Sequence, residues 1–401
     1  MPIQVPARAR GLVFAAGAAV ASFALSCLVA HPAMAQSDAA RIGIVSPNTG
    51  AAARYGAFAW RGAQLARDEI NAAGGMNGKK IELFQGDSQC IPTEGVSSVQ
   101  RMIAQDKVRF VIGDVCSSVT IAMQPVVENA GVLLINAASS NPDITYKAGV
   151  GGYKWSFRNY PTDENRASIV LKYATEEKKI KKFAVLSVDS DYGRGAIALT
   201  KKYLGDFGAE IVSEDYYKDK EADFRPVLAN IRRSGAGAII MYGLADTTPI
   251  IARQMVEAGL AGKVILIGSA EFNNPAAIKI APTALNGAVE AAAYVPEWDT
   301  PKNHEFVAAY GKAYAGETPN VHAYAYWETL RLVVAAAKQA NSDNQDDIRK
   351  ALSTMTYEGV MGKVTFDDHN QANLPMILFE IVDGKPVIKG TFNTQIKYSA
   401  R

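Results

Sequence analysis

Cysteine and histidine are both scarce in this chain. Three cysteines, Cys27, Cys90 and Cys116, and four scattered histidines, His31, His304, His322 and His369, occur in 401 residues. No pair of them has the close spacing of a metal-ligand set, so no metal centre and no cofactor are expected. An excess of one charge is also missing: 42 Lys plus Arg face 40 Asp plus Glu, and no basic patch or tail stands out. That balance argues against a nucleic-acid partner. Catalytic signatures are missing too. There is no Gly-x-Ser-x-Gly elbow, and no histidine neighbours a strand-tip nucleophile. Gly75-Met76-Asn77-Gly78-Lys79-Lys80 has the wrong glycine spacing for a phosphate loop and ends in Lys80 where a hydroxyl is needed. Gly193-Arg194-Gly195 lacks the third glycine of a dinucleotide fingerprint. An enzyme is therefore not expected.

What is present begins with a leader. Arg8 and Arg10 precede an apolar run from Gly11 to Ala30, and Ala33-Met34-Ala35 follows just before Gln36. Basic flank, apolar stretch and small-residue site together predict a secretory signal peptide over residues 1–35, removed after Ala35. Cys27, after Ala24-Leu25-Ser26, is a poor match to a lipid-attachment box because apolar sequence continues past it. No later segment is long and apolar enough to span a bilayer. Without Arg8 and Arg10 the charges cancel, and roughly 366 residues remain, enough for two domains. Discarding Cys27 leaves Cys90 and Cys116, an even pair in an oxidising compartment, which predicts a disulfide.

From residue 41 onward the pattern alternates strand and helix. RIGIVSP, KKIELFQGD, VRFVIGDV and VLLINA read as strands separated by amphipathic helices. A second such series starts after YKWSFRNYP and runs to the strand VILIGSA near residue 269. Three helical stretches follow, KNHEFVAAYGKAYA, VHAYAYWETLRLVVAAAKQA and DNQDDIRKALSTM, which would pack back on the first series. A terminal hairpin turns at Asp383-Gly384. The fold class is α/β, with two doubly wound, Rossmann-like parallel-sheet lobes joined by a multi-crossing hinge. Residues 41–157 with 294–364 make the first lobe, and residues 158–293 with 365–401 make the second.

Two consecutive strands of the first lobe end in small hydroxyl residues. Cys116-Ser117-Ser118 stands at one tip and Ala137-Ala138-Ser139-Ser140 at the next. Ser117 and Ser118 fall at the N-cap of the following helix, where unpaired N–H groups and the helix dipole favour an anion. Ordinary capping would explain one such pair. Two pairs on neighbouring strands favour a binding crevice at the carboxyl edge of the sheet.

Taken in order, IGIVSPNTG, RYGAFAWRGAQLARDEINAAGG, DSQC, FVIGDVCSS, NAASSNP, FRNYPTDENRA, DSDYGRG, ADFRPVLANIR, RQMVEAG and GKVTFD make the chain, from about Arg41 to Phe392, resemble a known family. It is similar to the periplasmic leucine/isoleucine/valine-binding proteins of ABC importers, which have the type I periplasmic-binding fold. That resemblance implies a ligand carboxylate at Ser117 and Ser140, with Ser139 in the same tip. It implies an ammonium between the Ala138 carbonyl and Glu271, and flanking aromatics at Tyr55 and Tyr192. For Glu271 a solvated loop acid is the competing reading; for Tyr55 it is turn closure, and for Tyr192 packing between lobes. The chain departs from the family at Tyr242-Gly243-Leu244-Ala245-Asp246, where an aromatic residue normally follows the glycine. Asp246 has two readings, a cap for the helix near Pro249 or an acceptor for a ligand amine or hydroxyl. The implied role is capture of a branched-chain amino acid by a monomeric carrier and delivery to a membrane permease. An aromatic carboxylate, an amide or another small compound as ligand, or sensing for a receptor, are the alternatives.

Overall fold

The computed structural model describes residues 39–218, 220–393 and 398. The leader, its Cys27 and the cleavage point after Ala35 lie outside the described residues, as does all of 394–401 except Tyr398.

The first sheet is built from β1 (Ala40–Ser46), β2 (Ile81–Asp87), β3 (Phe110–Ile112), β4 (Leu133–Asn136) and β5 (Ser156–Arg158). Its order is β2-β1-β3-β4-β5 and every pairing is parallel. Ile42, Ile44, Val111, Leu133 and Ile135 are fully buried, as expected for strands covered by helices on both faces. The second sheet draws on β6 (Lys182–Val188), β7 (Glu210–Tyr217), β8 (Ala238–Tyr242), β9 (Ile265–Ser269) and β10 (Val289–Ala292). A small separate hairpin, β11 (Tyr357–Gly359) with β12 (Gly362–Val364), precedes β13 (Pro375–Val382) and β14 (Lys385–Asn393). The second sheet has the order β14-β13-β10-β9-β8-β6-β7; β10 to β7 pair in parallel, while β13 and β14 join antiparallel at one edge. Asp383 (φ 49°) and Gly384 (φ 74°) form the β13–β14 turn. Two successive left-handed residues are what a tight hairpin with right-handed strand twist requires.

The three late helices begin after β10, and the longest, Val321–Ala340, returns to the first sheet. Asn320 starts it by accepting from the backbone N–H groups of His322 (3.0 Å) and Ala323 (3.1 Å). It lies along the Ala53–Ala72 helix at such close range that a side chain on Gly62 would overlap the Ala323 carbonyl, 2.0 Å from where a Cβ would stand. The chain therefore passes between the two sheets three times, after β5, after β10 and after β12. These crossings bring the carboxyl ends of both sheets to one cleft.

Candidate functional site

The β3 and β4 tips are each folded by a side chain that the sequence made easy to overlook. At the β4 tip the Asn136 Oδ1 accepts from Ala138 N–H (2.9 Å) and Ser139 N–H (2.8 Å), while its Nδ2 donates to the Ser139 carbonyl (2.9 Å). At the β3 tip the Asp114 Oδ1 accepts from Cys116 N–H at 2.6 Å. Burial pushes the Asp114 carboxyl up to about 7. The Ser117–Ala130 helix starts one residue earlier than expected, so Cys116 is its N-cap and Ser117 and Ser118 sit in its first turn. Ser117 does not cap. Its Oγ accepts from Asn141 N–H (3.3 Å), tying the two tips together. Val119 and Thr120 N–H donate to the Cys116 carbonyl (both 3.1 Å), which leaves the Ser117 and Ser118 N–H groups at the helix start to face an anion.

Cys90 and Cys116 form a disulfide with Cα atoms 5.5 Å apart, bracing the loop beside Ser117.

Between the two sheets lies a cavity of about 140 Å³, roughly ten times what one water needs. Tyr55, Ser117, Ala138, Ser140, Tyr192 and Glu271 all line it, together with Tyr160, Arg166, Leu244, Glu290 and His322. Ser139 and Asp246 do not. Ser139 turns inward, donating from Oγ to the Asp114 carbonyl (2.8 Å). Asp246 stands with its side chain 59% exposed, 3.8 Å from Arg54, and caps no helix, since Thr247 holds the N-cap position.

The walls are already in contact. Tyr55 accepts a hydrogen bond from the Ala245 backbone N–H, and Asn141 Nδ2 donates to the Asp191 carbonyl (2.9 Å). His322 Nδ1 is 3.4 Å from Glu271 Oε1, and its ring rests on Tyr55 with centroids 4.5 Å apart. Neither His322 Nδ1 nor Glu271 Oε1 has a hydrogen-bond partner, although both atoms are buried; the pair meets the distance of an ion pair without hydrogen-bond geometry. Glu271 adopts φ 52°, an uncommon left-handed conformation for glutamate, in the turn after β9.

The cavity has two unlike ends. Tyr55 and Leu244 pack with Val115, Cys90, Ala52 and Ala245 into an apolar cluster at one end. At the other, Ser140 Oγ donates to Asp163 Oδ2 (2.8 Å), Asp163 Oδ1 pairs with Arg166, and Arg166 Nε donates to the Ala291 carbonyl (2.9 Å). Burial works against the Arg166 charge, but Asp163 overrides it and holds the guanidinium ionised. Glu290 accepts from Phe272 N–H (2.9 Å), and burial pushes its carboxyl up to about 7. Burial also raises Tyr55, Tyr192 and Tyr160, the last to about 12, so all three hydroxyls stay protonated at neutral pH. Tyr192 donates to the Ser269 carbonyl at 3.0 Å, which fixes its ring against the second sheet.

Arg166, Glu290 and Tyr160 escaped the sequence reading. Arg166 sits in an amphipathic helix where an arginine ordinarily faces solvent, and Glu290 lies on a strand that looks uniformly apolar around it. The spacing of Asp163 and Arg166, three apart on one helical face, was the available signal.

A two-lobed α/β scaffold with a cavity enclosed at its strand tips defines a class of small-ligand binding proteins. A family model described as periplasmic binding protein matches residues 39–386, and the chain belongs to that family. A Leu/Ile/Val-binding protein homolog 1 of Brucella suis biovar 1 (strain 1330) is 31% identical over 353 residues, covering 88% of this chain and 92% of that protein. Among solved structures, the branched-chain amino acid transporter substrate binding protein LivJ from Streptococcus pneumoniae, in complex with isoleucine, superposes with TM-score 0.79 at 25% identity, over 89% of this chain and 99% of that one. A solute binding protein of an ABC transporter from Rhodopseudomonas palustris BisB5, in complex with 3,4-dihydroxy benzoic acid, gives the same TM-score and identity over 88% and 97%. The fold is that of the type I periplasmic binding proteins.

Proposed function

We propose that the chain is the periplasmic solute-binding component of an ABC importer, a monomer that captures a small amino acid of branched-chain type and presents it to a membrane permease. The observation that carries this is the graded cavity: a charged end at Ser140, Arg166 and Glu290, an apolar end at Tyr55, Val115 and Leu244, and Glu271 within reach of both, beside His322. An amino acid with an aliphatic side chain has the same two ends. In this reading the carboxylate lies at Ser117 and Ser140, with the Ser117 and Ser118 N–H groups as donors, and the ammonium lies between Ala138 and Glu271. Tyr192 and Tyr55 flank it. Residues 41–157 with 294–364 act as one rigid lobe and residues 158–293 with 365–401 as the other. Ligand bridges them and favours the closed form, which alone offers the permease both lobes at the right spacing.

A carboxylate lacking an amine is the second reading. It is favoured by the Rhodopseudomonas relative and by Leu244, which lines the cavity and stands where an aromatic residue is usual in the resemblance.

A thermal-shift screen on refolded, ligand-stripped protein tests both. Leucine, isoleucine or valine at about a hundred times its dissociation constant should stabilise by about 2.7 kcal/mol. A shift with benzoates alone would overturn the amino-acid reading in favour of the second.

A further inference from the structure

We propose that Arg166 is a second anchor for the ligand carboxylate, reaching it from the lobe opposite Ser117. This rests on the reading that the cleft takes a small carboxylate, and it goes beyond that reading by naming a residue that selects acids over their amides.

Three of the guanidinium's nitrogens have distinct fates. Nε donates to the Ala291 carbonyl (2.9 Å) and Nη1 pairs with Asp163. Nη2 makes no hydrogen bond to the protein among the described residues, yet it is not among the polar atoms sealed away from open space. Arg158 offers the contrast: its Nη2 is both unpartnered and sealed in, and Arg158 does not line this cavity. Arg166 borders the cavity while remaining only 2% exposed. A buried, ionised donor on the wall of a cleft suits an acceptor arriving there.

Asp163 strengthens the case. Its two oxygens hold Ser140 Oγ (2.8 Å) and Arg166 Nη1, so one carboxylate positions both groups at the same end of the cavity. The Ser140 hydroxyl is thereby committed as a donor to Asp163 and has no proton left for a ligand carboxylate. The Ser140 backbone and Arg166 Nη2 take over. Arg166 is also the only lysine or arginine on the cavity wall among the described residues, facing the acids Glu271 and Glu290. An acid and an ammonium on one ligand would therefore find opposite partners close together.

Titration calorimetry of the mature protein with L-leucine, L-leucinamide, benzoate and benzamide tests the proposal. Wild type should bind an acid more tightly than its amide. Arg166→Gln should weaken the acid by about 10- to 100-fold, the range for a hydrogen bond to a charged group, and leave amide affinity within about threefold. Equal losses for acid and amide would reduce Arg166 to a structural role, and no loss would remove it from the site. Should the variant not fold, wild type still decides: an amide bound as tightly as its acid overturns the proposal. Binding of benzoate but not leucine would retire the amino-acid reading while leaving Arg166 tested on benzoate. Binding of neither acid would overturn both.

Discussion

Tyr55 and Ala245 belong to opposite lobes, and the Tyr55 hydroxyl accepts a hydrogen bond from the Ala245 backbone N–H. The contact joins the two lobes within the apolar cluster beside the cavity. Burial and the nearby Glu271 carboxylate keep the hydroxyl protonated, so it can bridge without carrying charge. Tyr55→Phe should retain the ring packing on His322 and lose only this bond. Ligand affinity should fall by about 0.5 to 1.5 kcal/mol, read by calorimetry, with the melting temperature of the unliganded protein nearly unchanged. A larger loss of stability than of affinity would make Tyr55 a core residue rather than a clasp.

Glu271 carries the prediction that separates ligand classes. Glu271→Ala should weaken an amino acid by about 2 to 4 kcal/mol, because the ammonium would be left buried without its partner. Affinity for a benzoate should hold or improve. Unchanged affinity for leucine in titration would remove Glu271 from the site.

Asp246 should matter little. Its carboxylate is mostly exposed and 3.8 Å from Arg54, and exposed pairs of this kind contribute at most about 1 kcal/mol. Asp246→Asn is therefore expected to bind ligand as wild type does; a tenfold loss would show that the acid turns into the cleft when ligand enters.

Reduction of Cys90–Cys116 should lower stability by about 3 kcal/mol, the expectation for a loop of this size. A melting curve in reductant should shift down by several degrees, and affinity should fall with it, since the bridge braces the loop beside Ser117. Identical melts with and without reductant would contradict this.

Stability should depend on pH through two carboxyls that burial raises, Asp114 and Glu290, each to about 7 against ordinary values of 3.8 and 4.5. Folding favours their protonated forms. Their contribution is complete below the unfolded values and is lost as pH rises through about 7. The unliganded protein should therefore lose resistance to urea between about pH 4 and 7. Glu290→Gln should flatten that slope, and an unaltered slope would assign it to other groups.

The alternation of apolar strands with amphipathic helices was enough to establish two α/β lobes, because period and turn residues act locally. Ser117 and Ser140 were legible as a site for the same reason: hydroxyl residues at the ends of two adjacent strands are a local pattern with a known geometric consequence. The Cys90–Cys116 bridge followed from counting and compartment. What could not be read there was how each hydroxyl is spent. Ser117 accepts from Asn141 and Ser140 donates to Asp163, partners 24 and 23 residues away that only the packed lobes bring into range. The short strands β5 and β10 lack a period long enough to register, and each takes its conformation from its neighbours in the sheet. Arg166 and Glu290 escaped the reading because burial of an ion is decided by what closes over it. The chain by itself determined the scaffold and the edge at which ligands meet it; tertiary structure alone decided which charges face the cavity, since desolvation and pairing depend on distances between segments far apart in sequence.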